Sequence, residues 1–223
     1  MIRPDLFESG SQPPPPQQTR SRRRRDKVLR AAIERFAADG YERASIRTIA
    51  GRAGVASGAV YRFFRSKREL LFAAMDALLR HLESFSPPPF ADPRTLPADL
   101  EQFLSDVFAR EAPFVGVYRA WREASLVDET IAPQDRLIHS WTSARILGLF
   151  ARLAALPGAR AGLDLPAMAE LWDRFFWDLL ADPPSDLGRA AQSIAGTLSH
   201  TLLEDPTGRA GGPSGKRRGR EPR

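Results

Sequence analysis

Ser45-Ile46-Arg47-Thr48-Ile49-Ala50, then Ala53-Gly54-Val55, then Gly58-Ala59-Val60-Tyr61: the reading of this stretch decides the fold. Ile46, Ile49, Ala50 and Ala53 fall at i, i+3, i+4 and i+7, the inner stripe of a short helix, and Ser45 stands at its N-cap position. Gly54 supplies the positive φ of a tight turn. A second short helix is expected from about Ala56 to Phe63, with Ala56, Val60 and Phe63 or Phe64 facing inward. Its other face collects Ser57, Gly58, Tyr61 and Arg62. So short a helix, with so small and polar an outer face, buries little by itself and makes sense as a probe held up by its neighbours. This is the layout of a helix-turn-helix, which sets one helix into a DNA major groove.

The flanks extend the pattern. Upstream, Val28, Leu29, Ala32, Ile33 and Phe36 keep helical spacing up to Asp39-Gly40, where Gly40 suits a C′ position. The cluster Arg20, Arg22, Arg23, Arg24, Arg25 and Lys27 comes directly before that stripe. Cations at a helix N-terminus oppose the macrodipole, so local stability does not explain them. A solvated basic tail and an arm lying along DNA phosphate are both open readings. Downstream, Ser66 with Glu69 forms a capping-box pattern ahead of the stripe Leu70, Leu71, Ala74, Met75, Leu78, Leu79 and Leu82. Ser86-Pro87-Pro88-Pro89 stops it and makes the sharpest break in the chain.

Everything beyond that break carries helical stripes. Leu100, Phe103, Leu104, Val107 and Phe108 make one; Pro113 opens another with Phe114, Val117, Tyr118 and Trp121. A segment from about Pro133 to Leu156 carries Leu137, Ile138, Trp141, Ile146, Leu149 and Leu153. Leu165, Met168, Ala169, Trp172, Phe175, Phe176, Leu179 and Leu180 form the strongest stripe. Leu187, Ala191, Ile194, Ala195, Leu198 and Leu202 form the last. No hairpin signal and no alternating run interrupts them, so the fold class is all-α.

The 223 residues, 43% apolar and 27% charged, have the composition of a globular protein with one or two small domains. No run approaches the roughly 18 apolar residues of a membrane span, and Met1 to Asp5 lacks the apolar start of a secretory signal. The absence of cysteine removes disulfides, thiolate nucleophiles and cysteine-bound metals together and fits a reducing cytoplasm. The net charge of +6 is unevenly spread: residues 1–81 hold 17 Lys/Arg against 8 Asp/Glu, residues 82–206 hold 10 against 18, and residues 207–223 hold 6 against 1. A basic front on an acidic body suggests that one part meets a polyanion and the other does not.

Catalytic signals are missing: there is no GxSxG, no His/Cys/Asp constellation and no Rossmann fingerprint. Gly211-Gly212-Pro213-Ser214-Gly215-Lys216 fails as a phosphate loop, because Ala210 and Arg217 break the pattern and no strand precedes it. His81, His139 and His200 lack metal-ligand spacing. No catalytic residue, cofactor or metal is expected.

The residues Ala31-Ala32, Phe36, Gly40-Tyr41, Ser45-Ile46, Ile49-Ala50, Ala53-Gly54-Val55, Gly58, Val60-Tyr61, Phe64, Lys67 and Leu70 resemble the tetracycline-repressor-like (TetR) family of bacterial transcription regulators. The match covers roughly residues 25–75 without gaps. The resemblance implies a three-helix DNA-binding head, linked by a fourth helix to a helical body that binds an effector and dimerises. The expected boundaries are a disordered tail at 1–19, the head at 20–68, the body at 69–206 and a disordered basic tail at 207–223. It also implies phosphate contacts from Tyr61 and Lys67. Tyr61 is also readable as a half-buried core aromatic.

On physical grounds Ser45 can offer its hydroxyl and nearby backbone N–H groups to a phosphate. Arg47 and Arg52 lie on the outer side of their helix. Base readout is expected from Ser57, Gly58, Ala59 and Arg62. Gly58 either allows close approach to the groove or serves helix packing, and Arg62 suits a guanine edge or a phosphate. Two departures stand out. Ala56 replaces a common capping serine, a loss of about 1 kcal/mol in helix initiation, and Ala59 replaces a common threonine.

In the body, Phe103, Tyr118, Trp121, Trp141, Arg145, Trp172 and Phe176 are the candidate effector pocket, with Arg145 facing either an anionic or carbonyl ligand or a nearby carboxylate. Trp177 lies off its helix's stripe, so that helix is expected to bury two faces, one in its own core and the other either against a partner subunit or within a thick monomeric core. The small residues Ala190, Ala191, Ala195 and Gly196 permit close packing of the last helix. The expectation is a cytoplasmic homodimeric regulator, joined through helices near 165–180 and 186–204. It would bind a double-stranded, palindromic operator and be released by an unknown small molecule. The alternative is the same fold controlled by a protein partner or by abundance.

Overall fold

The computed structural model describes residues 19–204, so the tails expected at 1–19 and 207–223, with Gly211 to Lys216, lie essentially outside the described residues. Among the described residues nine α-helices follow one another: α1 (Thr19–Arg43), α2 (Ile46–Ala53), α3 (Ser57–Tyr61), α4 (Lys67–Glu83), α5 (Leu96–Glu111), α6 (Val115–Val127), α7 (Ala132–Leu153), α8 (Leu165–Ala181) and α9 (Leu187–Leu202). A 3-10 turn, Ala112–Phe114, joins α5 to α6. There is no β-strand among the described residues, and no described helix is long and apolar enough to cross a membrane.

The short helices form where the sequence places their caps. Ser45 accepts from the Thr48 amide at 3.1 Å, and the Thr48 hydroxyl accepts from the Ser45 amide at 3.1 Å, a complete capping box. Gly54 closes α2 at φ 61° and ψ 41°, the left-handed conformation a side chain would resist. α3 starts at Ala56 with no side-chain cap. Ala56 is exposed rather than inward as its spacing suggested, because α3 begins one residue later and only Val60 of the helix is buried. At α4, Ser66 accepts from the Glu69 amide at 3.1 Å, while the Glu69 carboxylate reaches back to the Arg65 amide at 2.7 Å, one residue beyond the usual partner.

Two features of α1 differ from expectation. The basic run Arg20 to Lys27 forms its first turns rather than a tail or arm preceding it. The arginines tolerate that position by packing and solvation: Arg25 lies over the Phe64 ring at 5.0 Å, and Arg22, Arg23 and Arg24 face solvent. Gly40 interrupts the helix at φ 76°, as its C′ reading requires, but a further turn to Arg43 follows it.

α4 is buried on all sides from Leu70 to Leu79 except Ala77, so it is the axial element of the molecule rather than an amphipathic surface helix. α5 packs along α9, α7 along α8, and α6 along α1. The α6–α1 approach is close because Gly116 has no side chain: a Cβ there would lie 2.2 Å from the Cα and Cβ of Ala37. Leu137, placed in the α7 stripe by its spacing, is 52% exposed, since α7 turns that side outward before the helix enters the core at Ile138.

Candidate nucleic-acid interface

α2 and α3 stand at one end of the molecule, with Ile49, Ala50, Ala53, Val60 and Phe64 buried against α1 and α4. What remains outside is the surface singled out by sequence. Arg47, Gly58 and Arg62 are exposed, and Ser45, Ser57 and Ala59 are half-buried. Tyr61 is 55% exposed, so about half of its surface is open to a partner. Nothing lies within 4 Å of a Cβ built on Gly58, so internal helix packing does not require glycine there. A surface glycine on a probing helix leaves room for a close partner. Arg52, by contrast, is held in an ion pair with Glu34 of α1. Lys27 extends the basic surface across the turn, its Nζ 3.5 Å from the place of a Gly54 Cβ.

Lys67 has a role that spacing alone does not reveal. Its Nζ donates to the carbonyls of Tyr41 at 2.8 Å and Glu42 at 3.2 Å, and sits 4.3 Å from the centre of the Tyr41 ring. The amides of the same two residues donate to the Glu123 carboxylate of α6, at 2.6 Å from Tyr41 and 3.0 Å from Glu42. Gly40 makes this possible, because a Cβ there would stand 2.6 Å from Glu123 Oε2. The turn after Gly40 is therefore gripped from two sides, by α4 and by α6. Gly40, Tyr41 and Lys67 form one cluster that sets the angle of the head on the body. Glu123 was missed in the sequence, where it is a lone carboxylate beside Arg119 and Arg122 on α6.

In the body, an apolar cavity of about 390 Å³ lies between the end of α4, the loop that follows it, α5, α7 and α8. Five of the seven expected pocket residues line it: Phe103, Trp141, Arg145, Trp172 and Phe176. Tyr118 and Trp121 do not. Tyr118 is buried, donates to Glu111 at 3.0 Å and meets Trp177 edge-on at 4.8 Å; Trp121 packs on Phe72 and donates to Asp135 at 2.8 Å. Both are core residues because α6 turns that face toward α4, α7 and α8. Arg145 donates from Nη2 to the carbonyls of Leu82 at 3.1 Å and Phe85 at 2.9 Å, and lies over the Trp141 ring at 5.0 Å. It thus caps the C-terminal end of α4, which the expected carboxylate pairing did not anticipate.

A buried polar chain runs beside this cavity. Glu111 is fully buried, and burial pushes its carboxyl up to about 7 despite the hydrogen bond from Tyr118. Its other oxygen faces the His81 ring at 3.6 Å. On the far side Asp173 accepts from the Thr142 hydroxyl and pairs with His139 Nδ1 at 2.5 Å, and Trp177 donates to Thr142 at 3.2 Å. Burial alone would lower the His139 pKa, but the Asp173 hydrogen bond and charge outweigh it and raise it. One signal for Glu111 existed: it stands three residues after Phe108 and four after Val107, a carboxylate on the apolar stripe of α5. Trp177 points into this network, and the face α8 leaves outside carries Leu171 and Phe175 at 66% and 45% exposure. Phe175 of the predicted stripe therefore faces outward and the off-stripe Trp177 inward, whereas Ala169, Trp172, Phe176 and Leu180 stay on the inner side as expected. Ala191 and Ala195 are buried within the chain, while Ala190 and Gly196 are half-exposed.

Residues 28–74 match the family model for bacterial regulatory proteins of the tetR family. The helix-turn-helix-type transcriptional regulator YvdT of Bacillus subtilis is 43% identical over 56 residues, a match spanning 25% of this chain and 29% of that relative. The regulator SrpR of Pseudomonas putida is 26% identical over 184 residues, covering 72% of this chain and 86% of its own. Among solved structures, a SmeT–triclosan complex superposes with a TM-score of 0.61 at 21% identity, over 85% of this chain and 96% of that one. The all-helical fold with its N-terminal helix-turn-helix, the residues matched and these relatives, which are transcriptional regulators rather than enzymes, together support a TetR-family DNA-binding transcriptional regulator.

Proposed function

We propose that this regulator is a cytoplasmic homodimeric repressor, released from a palindromic operator by a small molecule bound in the cavity at the end of α4. The observation that carries this reading is the position of that cavity. It abuts the C-terminal end of α4 through Leu82 and Phe85, and the N-terminal end of α4 follows directly on α3 and holds the Gly40 turn through Lys67. A helix buried on all sides transmits displacement as a rigid body. A ligand that shifts Arg145 or Leu82 would therefore move the head.

In this reading residues 20–68 form the DNA-binding unit and 69–206 the effector-binding and dimerisation unit. Ser45, Arg47, Tyr61 and Lys67 would meet phosphates, and Ser57, Gly58, Ala59 and Arg62 would face base edges. The exposed Leu171 and Phe175 of α8, with Ala190 and Gly196 of α9, would face a second copy; among the described residues nothing fills the space over Gly196. Two heads on one DNA face must stand about 34–36 Å apart, so a shift of a few ångströms releases them. The relative SmeT forms a complex with triclosan, which makes triclosan a reasonable first compound. The test follows DNA binding by fluorescence anisotropy while aromatic compounds, beginning with triclosan, are titrated in. Release by compounds that quench Trp141 and Trp172 supports the proposal. Compounds that quench both tryptophans yet leave DNA affinity unchanged contradict it.

A further inference from the structure

The chemistry of the cavity wall narrows what it can hold. Its rings come from Phe103, Trp141, Phe150, Trp172 and Phe176, which favour a flat, apolar occupant. Its charged groups are two arginines, Arg145 and Arg152, and no carboxylate lines it. That is a local reversal, because residues 82–206 as a whole carry 18 Asp/Glu against 10 Lys/Arg. Arg145 spends Nη2 on the Leu82 and Phe85 carbonyls and feels the charge of Glu83, while its Nε and Nη1 make no hydrogen bond among the described residues. Beside it, the buried indole N–H of Trp141 also has no partner among the described residues. Donors without acceptors, at the edge of an aromatic cavity, call for an acceptor that the protein does not supply.

We propose that the cavity binds an aromatic monoanion, a carboxylate or sulfonate, whose acidic end lies on Arg145 and the Trp141 N–H and whose rings lie between Trp172 and Phe176. A volume of about 390 Å³ suits a molecule of two or three rings. The anion would meet a half-buried guanidinium through charge-assisted hydrogen bonds, which are roughly twice as strong as neutral ones. The inference rests on the effector-pocket reading and adds the class of ligand to it.

Two fluorescent probes with the same ring framework separate the charge from the rings: anilinonaphthalene sulfonate and the neutral N-phenylnaphthylamine. The full-length protein is titrated with each, and the two are competed for a single site by energy transfer from Trp141 and Trp172. The sulfonate is expected to bind about tenfold or more tightly than the neutral ring. Arg145→Gln is expected to bring the two affinities together by weakening the sulfonate far more than the neutral probe, and Arg145→Lys to keep most of the preference. Trp141→Phe removes the N–H but keeps an aromatic ring under Arg145, so it reduces the preference and decides the matter should Arg145→Gln fail to fold. Equal or tighter binding of the neutral probe by the wild type overturns the proposal, as does a sulfonate preference that survives both Arg145→Gln and Trp141→Phe. Tight sulfonate binding that leaves DNA affinity unchanged supports the ligand class and overturns the effector reading instead.

Discussion

Replacing Glu111 by glutamine should make the protein's stability less sensitive to pH, and the structure fixes both sign and size. Burial raises the folded-state pKa from 4.5 to about 7. An acid with a raised pKa favours folding only while it is neutral. The contribution is fully present below 4.5 and is lost as pH rises through 7. At pH 8 the folded chain must hold an ionised carboxylate that the unfolded chain solvates freely, a penalty of about 3 kcal/mol, whereas at pH 5 it is below about 1 kcal/mol. Glutamine has the shape of the neutral acid: its carbonyl can accept from Tyr118 and its amide can face His81. Urea unfolding of wild type and Glu111→Gln at pH 5 and pH 8, at one protomer concentration, isolates this term. The variant should gain about 2–3 kcal/mol on the wild type between the two pH values. Tyr118→Phe removes the one hydrogen bond that holds the Glu111 pKa down, so it should move the window upward. A stability difference between wild type and Glu111→Gln that is the same at both pH values, within about 0.5 kcal/mol, would refute the reasoning.

Other expectations address the head and the outer faces. Gly116→Val forces a side chain into the backbone of Ala37; thermal unfolding should show a loss of about 1–3 kcal/mol, with weaker DNA binding as the α1–α6 contact opens. Glu123→Ala frees the amides of Tyr41 and Glu42, and hydrogen exchange at those two amides should speed up while that of the α8 core is unchanged. Ser45→Ala removes the α2 cap and should cost about 1 kcal/mol in a urea melt, with Ser45→Gly costing only a few tenths. Leu171→Glu combined with Phe175→Glu should leave a folded monomer by light scattering; an unchanged dimer would remove α8 from the interface.

The head was legible because each local choice there agrees with the fold. Ser45, Gly54 and Ser66 are caps whose identity announces their position, and Ile49, Ala50, Ala53 and Val60 repeat at helical spacing around them. The body was legible as helices but less so as faces. Phe175 and Trp177 are both large aromatics two residues apart on α8, and nothing in their spacing says which meets α6 and α7 and which stays outside. Tyr118 and Trp121 were grouped with the cavity aromatics for the same reason, since composition does not distinguish a core wall from a cavity wall. Contacts across long sequence separations were invisible altogether. The Glu123 grip on the Gly40 turn spans more than 80 residues, and Arg145 reaches back about 60 to cap α4. Glu123 ties α6 to the end of α1, and Arg145 ties α7 to the end of α4, the helix whose role no local pattern reveals.

The central claim is that the surface of α2 and α3 binds operator DNA, and salt-dependent binding tests it most directly. A duplex selected from random sequence by the purified protein would be titrated at several salt concentrations with wild type, Arg47→Ala and Tyr61→Phe. Affinity should fall steeply with salt, and Arg47→Ala should lower the magnitude of the log–log slope by about one while weakening all sequences alike. Tyr61→Phe should also weaken all sequences alike. A protein that selects no duplex, or whose DNA affinity ignores both salt and these substitutions, would contradict the account.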